Sequence, residues 1–266
     1  MGSTLAQSGT WSEPIYVQLV KSPALLSQTE QIMYTGCPGY LLCIILFITS
    51  LRHGNPSQSG PIMTPNGSTT AMREANLPSI LAYIESFDST AWALEMQSLM
   101  TQRESTFYPA QMPSPASSLS SSKHETSSDE SFTSPYHLSF AYKIAITLYA
   151  TRVLKHPSPR EANFASAVTS LIYHISHIPT TSELLKCTVW PVFIAGTECQ
   201  DPEQRVWIQH WLQKLWNTYL SVNVRAAGRV LEVIWSRNKT PHSTDVSEEG
   251  DWIQYMDQSN FNWIFI

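Results

Sequence analysis

The sequence predicts an all-α protein, a bundle or array of packed antiparallel helices interrupted by a disordered Ser/Pro-rich insertion. Three observations carry this. Apolar residues recur three and four positions apart, the spacing that gathers them on one helical face. No stretch sustains the alternation of a half-buried strand. Twice a capping residue is followed by proline and glutamate, at Ser158-Pro159-Arg160-Glu161 and at Asp201-Pro202-Glu203-Gln204, which is how a helix start is written.

Taken in order, residues 1–35 read as a partly disordered N-terminal segment, and residues 36–266 as one domain with two interruptions. Tyr40 to Leu51 is an apolar run of about 12 residues, too short to cross a bilayer as a helix, which needs roughly 20. It is expected to be a buried helix. Residues 53–70, HGNPSQSGPIMTPNGSTT, are dense in Gly, Pro, Ser and Asn and read as a loop. Leu81, Ile84 and Trp92 suggest a helix pair broken at Phe87-Asp88-Ser89. Residues 109–135 hold ten serines and four prolines and read as a disordered linker, first as a plain flexible connector and second as one that takes phosphate at Ser114-Pro115 and Ser134-Pro135. Tyr136 to Leu154 is expected to be a long helix aligning Phe140, Ile144, Leu148 and Thr151. Ser158 would start the next, with Phe164, Val168, Leu171, Ile172 and Ile175 inside. Asp201 would cap a helix carrying Trp207, Trp211, Leu215 and Tyr219, and Asn223 one carrying Val224, Ala227, Leu231 and Ile234.

Composition narrows the function classes. Of the 266 residues 42% are hydrophobic and only 14% charged, against roughly 25% charged in ordinary soluble domains. Much of the polar surface must therefore come from Ser, Thr, Asn and Gln. A net charge of -5 and a pI near 5.9 oppose a general nucleic-acid coat, which needs concentrated Lys and Arg. Between Asp201 and Lys239 six bases outnumber three acids, a local +3 that reads first as a solvated helix face. The four cysteines, Cys37, Cys43, Cys187 and Cys199, are dispersed, and the first residues form no secretory leader, so reduced thiols are expected.

Catalytic patterns are missing from the sequence: no phosphate-cradling Gly-rich loop ending in Lys-Ser or Lys-Thr, no Gly-x-Ser-x-Gly elbow, no His-Glu-x-x-His. The expectation is no enzyme, no cofactor and no metal. His174 and His177 share a helical face, yet two imidazoles make an incomplete site, and they read as ordinary polar-face or hydrogen-bonded histidines. Trp207, Trp211 and Trp216 read first as core and second as the wall of a ligand pocket.

The run from Thr188 to Arg205, TVWPVFIAGTECQDPEQR, followed by Val224-Arg225 and by Val230 to Trp235, resembles the C-terminal end of the fungal-specific transcription factor regulatory domain. The tail, Asp251-Trp252, Met256 and Trp263 to Ile266, resembles that family's ending, and Gly36-Cys37-Pro38 before an apolar helix resembles its early part. The residues that carry the likeness are Trp190, Pro191, Gly196, Asp201, Pro202, Trp207, Trp211, Val224, Trp235, Trp252 and Trp263. Read physically they are scaffold: Pro191 sits where a lost N–H is tolerable, Gly196 leaves room for a neighbouring helix, and the aromatics fill the core. The resemblance implies a nuclear transcription regulator acting on RNA polymerase II transcription through partner, ligand or intramolecular contacts. Its partners would be transcription machinery or another transcription factor, as a homo- or heterodimer, with DNA reached only indirectly or through an N-terminal zinc cluster. Such a cluster uses six closely spaced cysteines, which these residues do not contain. A helical small-molecule-binding protein, or a truncated dominant-negative remnant, is the alternative class.

Overall fold

The computed structural model describes residues 36–52, 61–63, 69–71, 76–107, 128–155, 163–237 and 252–258. These form helices α1 (Gly39–Arg52), α2 (Leu77–Ser86), α3 (Ser89–Phe107), α4 (Ser128–Lys155), α5 (Ala165–Ser176), α6 (Val189–Glu198), α7 (Pro202–Tyr219), α8 (Val222–Arg237) and α9 (Trp252–Gln258). A 3-10 turn, Glu183–Thr188, leads directly into α6. The all-α expectation holds, and no described helix is long and apolar enough to cross a membrane.

Two helices organise the rest. α4 packs against α1, α2, α3, α5 and α6, and α6 against α4, α5, α7 and α8. Every residue of α6 is buried, which explains why it reads VWPVFIAGTE with no polar stripe: a helix enclosed on all sides has no face to give to water. In α4 the fully enclosed residues include Leu138, Ala141, Ala145, Ile146 and Tyr149, while the expected inner residues Phe140, Ile144 and Thr151 are only half-buried. A central helix buries residues all round, so a single periodic stripe does not locate its core face.

Several boundaries differ from the sequence reading. Within the expected loop 53–70 lies part of a short antiparallel ribbon, strands β1 (Pro61–Met63) and β2 (Thr69–Ala71), pairing Ile62 with Thr70. Each strand is three residues long, too little length for alternation to register. The linker expected to run through Pro135 ends earlier, because α4 begins at Ser128 and carries Pro135 inside it. Phe132, Tyr136 and Phe140 pack tilted in succession along the helix flanking the proline, at 5.7 and 4.8 Å between centroids. Ser134 is consequently buried and not a free phosphate acceptor. Ser114 lies outside the described residues.

Helix starts were legible where the cap is local. Asp201 accepts from Glu203 N at 2.9 Å with Pro202 next, as expected. Asp88 accepts from Thr90 N and Ala91 N, both at 3.0 Å, and separates α2 from α3. Ser158, in contrast, does not start α5: Asn163 and Phe164 are non-helical, and Asn163 Oδ1 accepts from Ala165 N. Asn223 lies inside α8, whose first free amides, of Val224 and Arg225, go to Ser221 O. Leu220 ends α7 in the left-handed region, φ 50°, its N–H bonded to Trp216 O at 2.8 Å. A leucine there is strained by about 1 kcal/mol.

Two glycines show opposite reasons for lacking a side chain. A Cβ on Gly196 would stand 2.5 Å from Leu231 Cδ1, so α6 and α8 meet only because it is absent. A Cβ on Gly228 would meet nothing nearer than Leu212 Cδ1 at 4.0 Å. Gly196→Ala is therefore expected to lower unfolding free energy by about 1–3 kcal/mol, as overfilled cores do. Gly228→Ala is expected to leave it unchanged or raise it by up to about 1 kcal/mol. Urea unfolding of the two variants checks both, and equal midpoints would show that Leu231 yields freely.

Candidate functional site: the tryptophan core around Glu198 and the groove beside it

The residues that carry the family likeness converge on α6. Trp190 is fully enclosed, parallel to Tyr142 at 5.8 Å and edge-on to Tyr149 at 6.1 Å. Pro191, in the first turn, cannot bond the carbonyl four residues back, Cys187 O, and the Tyr142 hydroxyl donates to that oxygen at 3.0 Å. The Gly196 carbonyl accepts from Trp235 Nε1 at 2.8 Å, and Trp211 Nε1 donates to Thr188 Oγ1 at 3.1 Å. Trp207, half-buried, stacks on Trp211 at 5.0 Å. Val224 and Trp252 are buried, as is Met256; Trp263 lies outside the described residues.

At the end of α6 stands a group that the sequence reading missed. Glu198 and Arg152 form a two-point ion pair, Arg152 Nε to Oε1 at 2.9 Å and Nη2 to Oε2, with side chains 3% and 4% exposed. Trp252 Nε1 donates to the same Oε1 at 2.7 Å, and the Arg152 guanidinium lies 5.3 Å from the Phe164 ring centre. One carboxylate thus joins α4, α6 and α9. Each charge stands alone in an apolar run, VWPVFIAGTEC and the segment around Tyr149, which signals a buried partner, but 46 residues separate them and the pairing itself is not readable.

His174 and His177, placed together by sequence, gain a third member from α4. His137 Nδ1 lies 3.0 Å from His174 Nδ1, and its ring stacks on His177 at 4.7 Å. Phe140 covers His174 at 5.1 Å, and Tyr173 N-terminal to them packs on both α5 rings. Burial, and then the neighbouring His174 and His177, lower the His137 pKa to about 4, and burial lowers that of His174. Burial thus favours the neutral form of His137 and His174. Among the described residues no group of three His, Cys, Asp or Glu is arranged to hold a metal ion. The four thiols are buried, and burial pushes Cys187 up to about 12 and Cys199 to about 11, so neither offers a thiolate near neutral pH.

Of the three tryptophans read first as core, Trp211 is buried and Trp207 half-buried against it, while Trp216 reaches a groove wall. A groove of about 620 Å³ runs between α7 and α8, with Trp216 and Trp235 in its walls and Leu212, Val224 and Leu231 beneath. Four of the basic residues of this region lie over rings: Arg205 over Trp235, Lys214 over Trp211, Arg225 over Trp216 and Arg237 over Tyr255, at 4.4–5.5 Å. Much of the local positive charge is therefore tied into aromatic packing, while Arg229 stands exposed beside the groove.

This is an enclosed helical scaffold, built from tryptophans that each carry a structural duty, and family comparison agrees with that class. The fungal specific transcription factor domain matches residues 1–266, and the chain belongs to that family of transcription regulators. Over 260 residues it is 25% identical to the acriflavine sensitivity control protein acr-2 of Neurospora crassa, covering 95% of this chain. The chain spans 38% of that relative's length. No solved structure matches it. Membership points to transcription regulation and away from catalysis.

Two predictions follow the geometry. Arg152→Met or Glu198→Leu alone is expected to cost about 3–5 kcal/mol, because each strands a buried charge. The double variant should recover most of this, short of the roughly 1–3 kcal/mol left by an unpaired Trp252 N–H. Additive losses in urea unfolding would contradict the pairing. For the histidines, the unfolded chain binds a proton near pH 6.5 but folded His137 only near 4. Their stability is whole above about pH 6.5 and drains as pH falls toward 4. His137→Gln should flatten the urea midpoint between about pH 7.5 and 5, and an unchanged slope would remove His137 from that account.

Proposed function

We propose that this chain is the regulatory or effector domain of a fungal zinc-cluster transcription factor, acting in the nucleus on RNA polymerase II transcription. The single observation that supports the reading best is the family match along all 266 residues. The geometry fits it: the described motif tryptophans are spent on core contacts and hydrogen bonds, so the domain's output is its surface and its conformation. Sequence-specific DNA reading needs base-edge contacts from an element held in a groove. In this proposal a zinc cluster outside these residues, or a partner factor, supplies that element. The domain modulates it through a ligand, through transcription machinery, or through homo- or heterodimer contacts.

Fusion to a foreign DNA-binding domain in a fungal reporter strain tests the proposal. The expected outcome is activation or repression that depends on growth condition. A fusion that stays inert under every condition and recruits no partner counts against it. The chain by itself is expected to bind random and promoter duplexes equally, weakly, and less as salt rises. A titration at two salt concentrations reads this, and tight, salt-resistant discrimination between duplexes would mean that the helical domain reads DNA itself.

A further inference from the structure

The groove between α7 and α8 has features that core packing does not require. Gly228 sits in the middle of α8, where glycine costs about 1 kcal/mol against alanine, and no neighbour demands its bareness, the nearest atom to an added Cβ being 4.0 Å away. Gly196 shows what a packing glycine looks like; Gly228 instead keeps the groove floor open. The volume, about 620 Å³, falls in the range of small-ligand sites.

The lining has a definite chemistry. Leu212, Val224 and Leu231 give an apolar floor, and Trp216 an aromatic wall whose indole N–H has no hydrogen-bond partner among the described residues. Two guanidiniums, Arg225 and Arg229, face one carboxylate, Glu232, leaving a net positive rim. Arg225 is stacked on Trp216 at 5.4 Å, whereas Arg229 makes no hydrogen bond or ion pair among the described residues. An unpaired guanidinium beside an aromatic wall suits a flat apolar body ending in a planar anion, since arginine pairs carboxylates in a two-point fork.

From this we infer that the α7–α8 groove is a binding site for a planar aromatic carboxylate, with the ring system against Trp216 over Gly228 and the carboxylate on Arg229. The anion replaces water at Arg229, and Glu232 repels a second negative group, so a monoacid is preferred over a diacid. The site deepens the regulatory proposal by giving the domain an effector class. It rests on that proposal only for its transcriptional consequence, since binding is read on the purified chain alone.

The probes are three naphthalenes of one shape and different charge: 2-naphthoate, 2-naphthalenemethanol and 2-naphthylmethylammonium, titrated calorimetrically into the full chain. Naphthoate is expected to bind one to one and about tenfold tighter than the alcohol, the worth of one charge-assisted contact, with the ammonium weakest. Arg229→Gln should bring naphthoate down to the level of the alcohol without changing the alcohol. Gly228→Met should abolish binding of all three with the thermal transition retained, and if that variant fails to fold, Gly228→Ala should weaken naphthoate several-fold. Arg237→Gln, a cation of α8 that is packed on Tyr255 and not in the groove, should change nothing. No saturable naphthoate binding, equal affinity for the three probes, or binding indifferent to the substitutions at both Arg229 and Gly228 would overturn the inference. A chain that binds naphthoate in this way but leaves the reporter silent would overturn the regulatory proposal and leave the site standing.

Discussion

The Arg152–Glu198 pair is the constraint on which the arrangement of this domain depends. Two opposite charges removed from water are costly unless they meet in good geometry and have their remaining acceptor sites filled. Here the guanidinium takes both carboxylate oxygens, and Trp252 fills one of them again. Because Arg152 sits near the end of α4, Glu198 at the end of α6 and Trp252 at the start of α9, satisfying one carboxylate fixes three helices at once. Arg52, closing α1, adds a hydrogen bond to Ile253 O at 3.2 Å and seats α9 from the other side. Apolar packing alone would tolerate slippage among these helices; a buried charge pair does not.

Around that node the tryptophans serve as paired fixings. Each brings a large apolar surface and one N–H that wants an acceptor when buried. Trp211 reaches Thr188, Trp235 reaches the Gly196 carbonyl, and Trp252 reaches Glu198. Trp190, fully enclosed between Tyr142 and Tyr149, has no acceptor for its N–H among the described residues. The same economy recurs at Pro191, where the carbonyl released by the missing N–H is taken up by the Tyr142 hydroxyl across the α4–α6 contact. Backbone polar groups freed by one helix are thus satisfied by side chains of another, which couples α6 to its neighbours beyond hydrophobic contact.

For a regulatory domain this distribution matters. α6 is enclosed and tied on several sides, whereas α7 and α8 present an open groove, a strained turn at Leu220 and exposed Val206, Leu220 and Val222. The His137–His174 contact joins α4 to α5 at another place, on helices that carry none of the groove residues.

The sequence by itself determined the helical class, the enclosed nature of Tyr40 to Leu51, the break between α2 and α3 at Phe87-Asp88-Ser89, the cap at Asp201, the inner faces of α5 and α8, and the family. These are local matters: periodicity, a capping side chain and a long specific motif are each written within a few residues of where they act. Gly196 was also legible, since a glycine inside an apolar helix implies close approach, although only the fold names Leu231 as what approaches. What the tertiary structure decided are the pairings at long separation: Arg152 with Glu198, His137 with His174, the Tyr142 hydroxyl with the carbonyl before Pro191, and Trp216 rather than Trp207 or Trp211 at the groove. Such contacts depend on which helices become neighbours. A sequence read one helix at a time holds the periodicity of each face but not the identity of the face it will meet.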